Sequence, residues 1–164
     1  MAEVKCDVVI FKINKKSSRG YYFKEKAVDD FLASDACRKR IEERTAMGIS
    51  THFERHPDGV HDKKVPVVDQ ALINRSFTHY ISKFYKKNGY FMAELTIFDP
   101  ELFSGEAKDK IAFISGLIQS GVKLPTSAGI KAFYNPITKE GEKIYDIIGI
   151  DWTMGPDFED SKVQ

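Results

Sequence analysis

The residues best able to do chemistry fall in two places. His52, His56 and His61 stand close together in a polar stretch, Ser50 to Lys64, that also holds a proline, a glycine and several acids. Imidazoles so placed can act as general bases or metal ligands. A helical metal pair would put His52 and His56 on one face. However, Glu54 is misplaced for an H-E-x-x-H arrangement, Pro57 discourages a helix past His56, and no cysteine is near. Solvated loop histidines are the plainer reading, and no metal is expected. The second place is Thr126-Ser127-Ala128-Gly129. Small residues after a hydroxyl let a substrate backbone approach and leave backbone N–H groups for an oxyanion hole. A serine nucleophile needs a base within hydrogen-bond reach, which a histidine-rich loop can supply. Taken alone, Ser-x-Gly beside a turn commonly marks only the turn. His79, with Phe77 and Ile81 as same-face neighbours, reads as a packed, hydrogen-bonded core histidine.

The surrounding elements must position these groups. Residues 4–13 (VKCDVVIFKI) are β-branched and read as a strand, followed by a polar turn, KKSSRG. From Phe23 to about Glu43 the period is helical, with Ala27, Phe31, Ala36 and Ile41 among charges. The Ser50–Lys64 stretch has no apolar period and reads as a long loop, of the kind that tends to be functional or mobile. Asn88-Gly89 predicts a type I′ hairpin. Ile73, Phe77, Ile81 and Tyr85 lie on one face before it; Phe91, Ala93, Leu95 and Ile97 follow it. A helix opens after Ser104 with Ile111, Ile114, Leu117 and Ile118 periodic, and Gly121 suits its C-terminus. Ser127–Tyr134 is extended. A last strand runs from Ile144 to Trp152 with Ile144, Ile148 and Ile150 on one face, and the acidic residues 155–164 read as a loose tail. The sum is one α+β domain spanning 1–164, mostly antiparallel sheet with two principal helices.

Composition narrows the classes. The 164 residues are 42% hydrophobic and 12% aromatic, the content of a globular chain with a real core. Twenty-five basic against 24 acidic residues leave a formal charge of +1, giving no electrostatic reason to expect nucleic-acid or membrane partners. Cys6 and Cys37 are far apart and read as two reduced thiols of a cytosolic protein. The charged N-terminus does not fit a signal peptide.

Five segments, in order, carry a resemblance. Ser17–Phe31 (SSRGYYFKEKAVDDF), Ala46–His52 (AMGISTH), the hairpin Asn74–Leu95 with its Thr78-His79 pair, Ile118–Gly129 (IQSGVKLPTSAG) and Gly149–Pro156 (GIDWTMGP) resemble the prohead core proteases of tailed phages, relatives of the herpesvirus assemblin serine endopeptidases. The family's counterparts are an N-x-R-x-Y run entering a helix, Leu-Gly-Glu-x-x-His with the catalytic histidine, a hairpin opening on Ser/Thr-His, I-x-x-G before Val-Ser-Ser-Arg-Gly with the nucleophile, and G-[IV]-D-x-V-x-x-P.

The resemblance implies a herpesvirus-protease-like fold with a partly closed barrel and no cofactor. It implies Ser127 as nucleophile when counted from Gly121, or Thr126 when aligned on Gly129. His52 is the implied base when Gly48 is the anchor; His56 takes that place if the His-Pro pair is. The third member is Asp151 or His79, and the backbone N–H groups of Ala128 and Gly129 would form the oxyanion hole. Two departures stand out: Ile49 occupies the place of the family's Glu, and the Arg after the serine is missing. Implied partners are the phage scaffold or core proteins, the major capsid protein and the chain itself, in the host cytoplasm and inside the prohead. Ile41-Glu42-Glu43 fits the family's cleavage sequence but reads more simply as a charged helix face. The rival readings are an inactive protease fold kept as scaffold or internal capsid protein, and a metal-dependent hydrolase built on the loop histidines.

Overall fold

The structure is a computed structural model that describes residues 3–49, 75–153 and 155–164. It is α+β, with a curled antiparallel half-barrel and three helices among the described residues. Strands β1 (Val4–Lys12), β2 (Tyr22–Phe23), β3 (Met47–Ile49), β4 (Phe77–Lys87), β5 (Tyr90–Ile97), β6 (Thr126–Tyr134), β7 (Glu140–Trp152) and β8 (Lys162–Val163) form two sheets. One is five-stranded, β3-β4-β5-β1-β8; the other is β2-β7-β6. Helices α1 (Glu25–Leu32), α2 (Asp35–Glu43) and α3 (Gly105–Gln119) pack against them.

The hairpin β4–β5 closes on Asn88 (φ 53°) and Gly89 (φ 82°), the two positive angles a type I′ turn needs. Phe91, Ala93, Leu95 and Ile97 all face inward and are fully buried, as their alternation requires. On β4 the pattern is broken. A bulge between Ile81 and Lys83 reverses the faces, so Ile81 and Phe84 are buried while Tyr85 donates its hydroxyl to Asp7 Oδ1 at 2.6 Å. Period-two counting through Tyr85 fails for that reason, and Ile73 lies outside the described residues. Bulges in β6–β7 likewise put Ile144, Ile147 and Ile150 in the core and leave Ile148 half-buried.

The expected single helix from Phe23 to Glu43 is two. Ser34 accepts from Cys37 N (3.2 Å) and donates to Phe31 O (2.6 Å), ending one helix and capping the next. With the helix after Ser104, this makes three among the described residues where two were expected. The first carries Ala27, Val28 and Phe31 on its buried stripe. Around these, Phe11 stacks on Phe23 (4.8 Å between centroids) and meets Phe91 edge-on (5.3 Å), while Phe31 meets Phe84 edge-on (5.3 Å). The second helix is tied to the sheet by Arg40, whose Nε and Nη2 grip the two oxygens of Asp146 at 3.1 and 2.7 Å.

Residues 155–164 are not the loose tail their acidity suggests. Ser161 and Val163 are buried, and β8 pairs antiparallel with β1. The acidic side chains lie outward on cations of the first turn, while the backbone and alternate side chains enter the fold.

The two sheets meet where β3 lies against β7. A Cβ on Gly48 would collide with the Ile150 carbonyl oxygen and the His79 ring, and one on Gly149 with the Met47 carbonyl oxygen. Three of those obstacles are backbone or a buried ring and cannot give way. Gly48→Ala and Gly149→Ala are therefore each expected to destabilise the protein by more than about 3 kcal/mol in urea unfolding. Gly116→Ala, on the exposed face of α3 with nothing near its Cβ position, should instead stabilise by about 0.5–1 kcal/mol.

A second expectation concerns acid. The Arg40 guanidinium holds the Asp146 carboxyl below the usual range, so its folded-state pKa is depressed. That stability is present at neutral pH and is lost as pH falls through and below the ordinary carboxylate range. Asp146→Asn should lower stability at pH 7 and make it less acid-dependent in unfolding titrations.

Candidate active site

Among the described residues, the candidates Asp151, His79 and Ser127 lie at the β3–β7 seam and at the adjoining start of β6. Ser127 is the cross-strand partner of Asp151. Directly opposed residues share a face of the sheet and place their Cβ atoms about 4.5–5.5 Å apart. Asp151 is buried, and its Oδ1 accepts from the backbone N–H of Ile49 at 3.1 Å. The carboxylate therefore lies at the end of β3, and His52 follows three residues later. His52, His56 and His61 themselves lie outside the described residues, as does any metal site built on them.

His79 is fully buried on β4. Its Nε2 is 2.5 Å from Ile150 O, which can only accept, so Nε2 carries a proton. Its Nδ1 is 2.7 Å from Thr78 Oγ1, which in turn accepts from Trp152 Nε1 at 3.0 Å. Indole, hydroxyl, imidazole and carbonyl thus form one chain, with the His79 ring tilted on Trp152 at 4.8 Å. Gly48 leaves room for the imidazole to cross β3 and reach β7.

The two hydroxyls that compete for the nucleophile's place differ in access. Thr126 is fully buried, with Oγ1 2.7 Å from Ser161 Oγ. Ser127 is partly exposed and lines a cavity of about 760 Å³. Tyr21, Tyr134, Arg19, Asp157 and Ala128 also contribute to its walls. Burial, and then the charge of Asp157, pushes the Tyr134 hydroxyl up to about 12, so this wall stays neutral. The charged groups at the rim are Arg19 and Asp157, joined at 3.4 Å, and the exposed Lys131.

Strand β6 is the end strand of its sheet. Thr126 N donates away from β7, to Ser161 O at 3.0 Å, and alternation turns the N–H of Ala128 to that same side. Gly129 is held close under Ile148, whose side chain fills its missing Cβ position. The C-terminal residues bring two further groups to this cavity, Asp157 and Ser161, which no motif in the sequence marks. A signal was present in the cationic KKSSR turn and the acidic DFED run, whose charges pair, Lys15 with Asp160 and, at the cavity wall, Arg19 with Asp157.

No known family's sequence profile matches the chain, and no curated protein matches it. Among solved structures, the fold is similar to that of the bacteriophage T4 capsid assembly protease, gp21. The match has a TM-score of 0.53 and 10% sequence identity, and covers 93% of this chain and 82% of that one.

The buried chain at the seam yields an expectation of its own. Thr78→Val leaves both the Trp152 N–H and His79 Nδ1 without Thr78's oxygen. It should destabilise by about 2–4 kcal/mol and alter the near-ultraviolet signal of the single tryptophan. Thr78→Ser, which keeps the hydroxyl, should remain near wild type in both measurements.

The chain therefore shares the fold of the bacteriophage T4 capsid assembly protease, with Ser127 on the wall of a cavity and the buried Asp151 opposite it on β7.

Proposed function

We propose that this chain is a serine endopeptidase of the prohead-protease and assemblin type that cleaves scaffold and capsid proteins during maturation of a phage prohead. Ser127 is the nucleophile and His52 the general base, with Asp151 orienting the base. The observation that carries the reading is the placement of Asp151. It lies opposite Ser127 and holds the backbone of β3 just where the chain runs on to His52.

In the mechanism, the His52 imidazole takes the proton from Ser127 Oγ as that oxygen attacks the scissile carbonyl, and returns it to the leaving amine. Asp151 favours the histidine tautomer that can accept, and stabilises the imidazolium. The N–H of Ala128, on the open side of β6, receives the oxyanion, such a donor lowering the barrier by about 3 kcal/mol; the Gly129 N–H, next along the strand, points to the β7 side and is set aside as a donor. The outward side of β6 beyond Thr126 offers an extended peptide the hydrogen bonds of an added strand. Asp151 is a better third member than His79, because the His79 ring nitrogens already face Thr78 and Ile150. Ser127 is preferred to Thr126, whose hydroxyl is buried on Ser161. The partners are the scaffold and capsid proteins and, for autoprocessing, the chain itself, inside the prohead. No helix among the described residues is long and apolar enough to cross a membrane.

One observation favours a second reading, an inactive protease fold kept as a scaffold or internal capsid protein. Ile49, where the resemblance expects a glutamate, is fully buried, so the position that the resemblance gives to a charge belongs to the core here.

Reaction with a fluorophosphonate separates the two readings. The endopeptidase reading expects stoichiometric labelling at Ser127 and cleavage of the cognate scaffold protein. Ser127→Ala and His52→Ala should each reduce cleavage by at least about a thousandfold with the melting curve unchanged. Undiminished cleavage by Ser127→Ala would overturn the nucleophile assignment. Absence of both labelling and cleavage in the wild type would favour the inactive scaffold.

A further inference from the structure

The strand that carries Ser127 is held on one side by β7 and, at its very start, on the other side by the C-terminal residues. Thr126 N donates to Ser161 O and Val163 N to Leu124 O, both at 3.0 Å, and Pro125 bridges to Lys162. The two buried hydroxyls of Thr126 and Ser161 meet at 2.7 Å. On its far side the same segment adds to β1, with Val8 opposite Val163, and Gln164 N donates to Asp7 O at 2.9 Å. A strap of ten residues (155–164) thus joins the edge of the large sheet to the residue immediately before Ser127.

The strap is anchored at two further points. Phe158 packs on Phe11 at 5.2 Å, reaching the aromatic core. Outside, Lys15 pairs with Asp160 (2.9 Å) and Glu159 (3.1 Å), and Asp157 accepts from Ser18 Oγ at 2.6 Å. After Thr126 the outward edge of β6 has no strand beside it among the described residues. On the side away from β7, the start of β6 is therefore held at the point where Ser161 grips the neighbour of Ser127.

We infer that Ser161 is a positioning residue for Ser127, and that the docked C-terminal strap is a condition for nucleophilic attack; this rests on the reading of Ser127 as the nucleophile. Ser161 does not touch substrate. It acts through the Thr126 hydroxyl and backbone, fixing the twist of β6 where the reacting oxygen leaves the strand. A displacement of about 1 Å there is enough to slow the chemical step roughly a hundredfold.

The test uses the full chain and a fluorophosphonate, reading the maximal acylation rate, the reagent's half-saturation concentration, and amide exchange at residues 126–128. Ser161→Ala should lower the maximal rate about 10- to 100-fold, leave half-saturation unchanged and speed the exchange. Ser161→Thr, which restores a hydroxyl, should recover most of the rate. Lys15→Glu, an exposed change that repels the strap's acids, should act in the same direction more weakly and keeps the test open if Ser161→Ala folds poorly. A Ser161→Ala protein acylated at the wild-type rate overturns the inference, whatever its exchange. A wild-type protein that takes no label overturns instead the assignment of Ser127, and the exchange data then separately decide whether the strap orders β6.

Discussion

Backbone-to-backbone approach at Gly48 and Gly149 sets where β3 can lie against β7, and the site is built outward from that contact. With no side chain at either position, the carbonyls of Met47 and Ile150 come within contact of the opposite strand. Only at that separation can His79 reach from β4 across β3 to Ile150, and only there does Ile49 N meet the Asp151 carboxylate. The seam is polar and buried, so each of its donors and acceptors needs a partner. The chain from Trp152 through Thr78 and His79 to Ile150 supplies them in sequence. A buried polar network of this kind specifies one arrangement of two sheets more sharply than apolar contact alone, because any slip in register leaves several groups unsatisfied at once.

The apolar interior does different work. Phenylalanines from β1, β2, α1, β4 and β5 meet in one cluster, which brings the two sheets and the first helix together without fixing their fine register. At about 25 cal/mol per Å² of buried apolar surface, this cluster outweighs the ion pairs on the outside, nearly all of which have at least one exposed partner among the described residues. The same ranking holds for the C-terminal segment. Phe158 and Val163 bind it to the core, while its surface acids add direction more than strength. Arg40 and Asp146 are an exception among the ion pairs, being bidentate and largely shielded from water.

Much of this was legible in the chain. Asn88-Gly89 and the alternating Phe91, Ala93, Leu95 and Ile97 specified a hairpin and its buried face, and Ile111 and Ile114 the buried side of α3. Ser127 stands out by residue type, His79 reads as a packed core histidine, and Asp151 is marked only by the family resemblance; all three lie at or beside the seam. The failures were local switches of face. The bulge after Ile81 turned Tyr85 outward, and Ser34, a short polar residue inside a helical period, ended one helix and began another.

Sequence alone determined which segments extend and which coil, because side-chain periodicity is a property of each segment and is written in it directly. It also marked the residue types that could react. Only tertiary structure decided that Ser127 stands opposite Asp151, that Thr126 is sealed against Ser161, and that an acidic C-terminus is a strap and not a loose end. Those relations are made largely by backbone N–H and C=O groups, which every residue carries. Pairing between distant strands therefore leaves almost no trace in side-chain identity until the chain has folded.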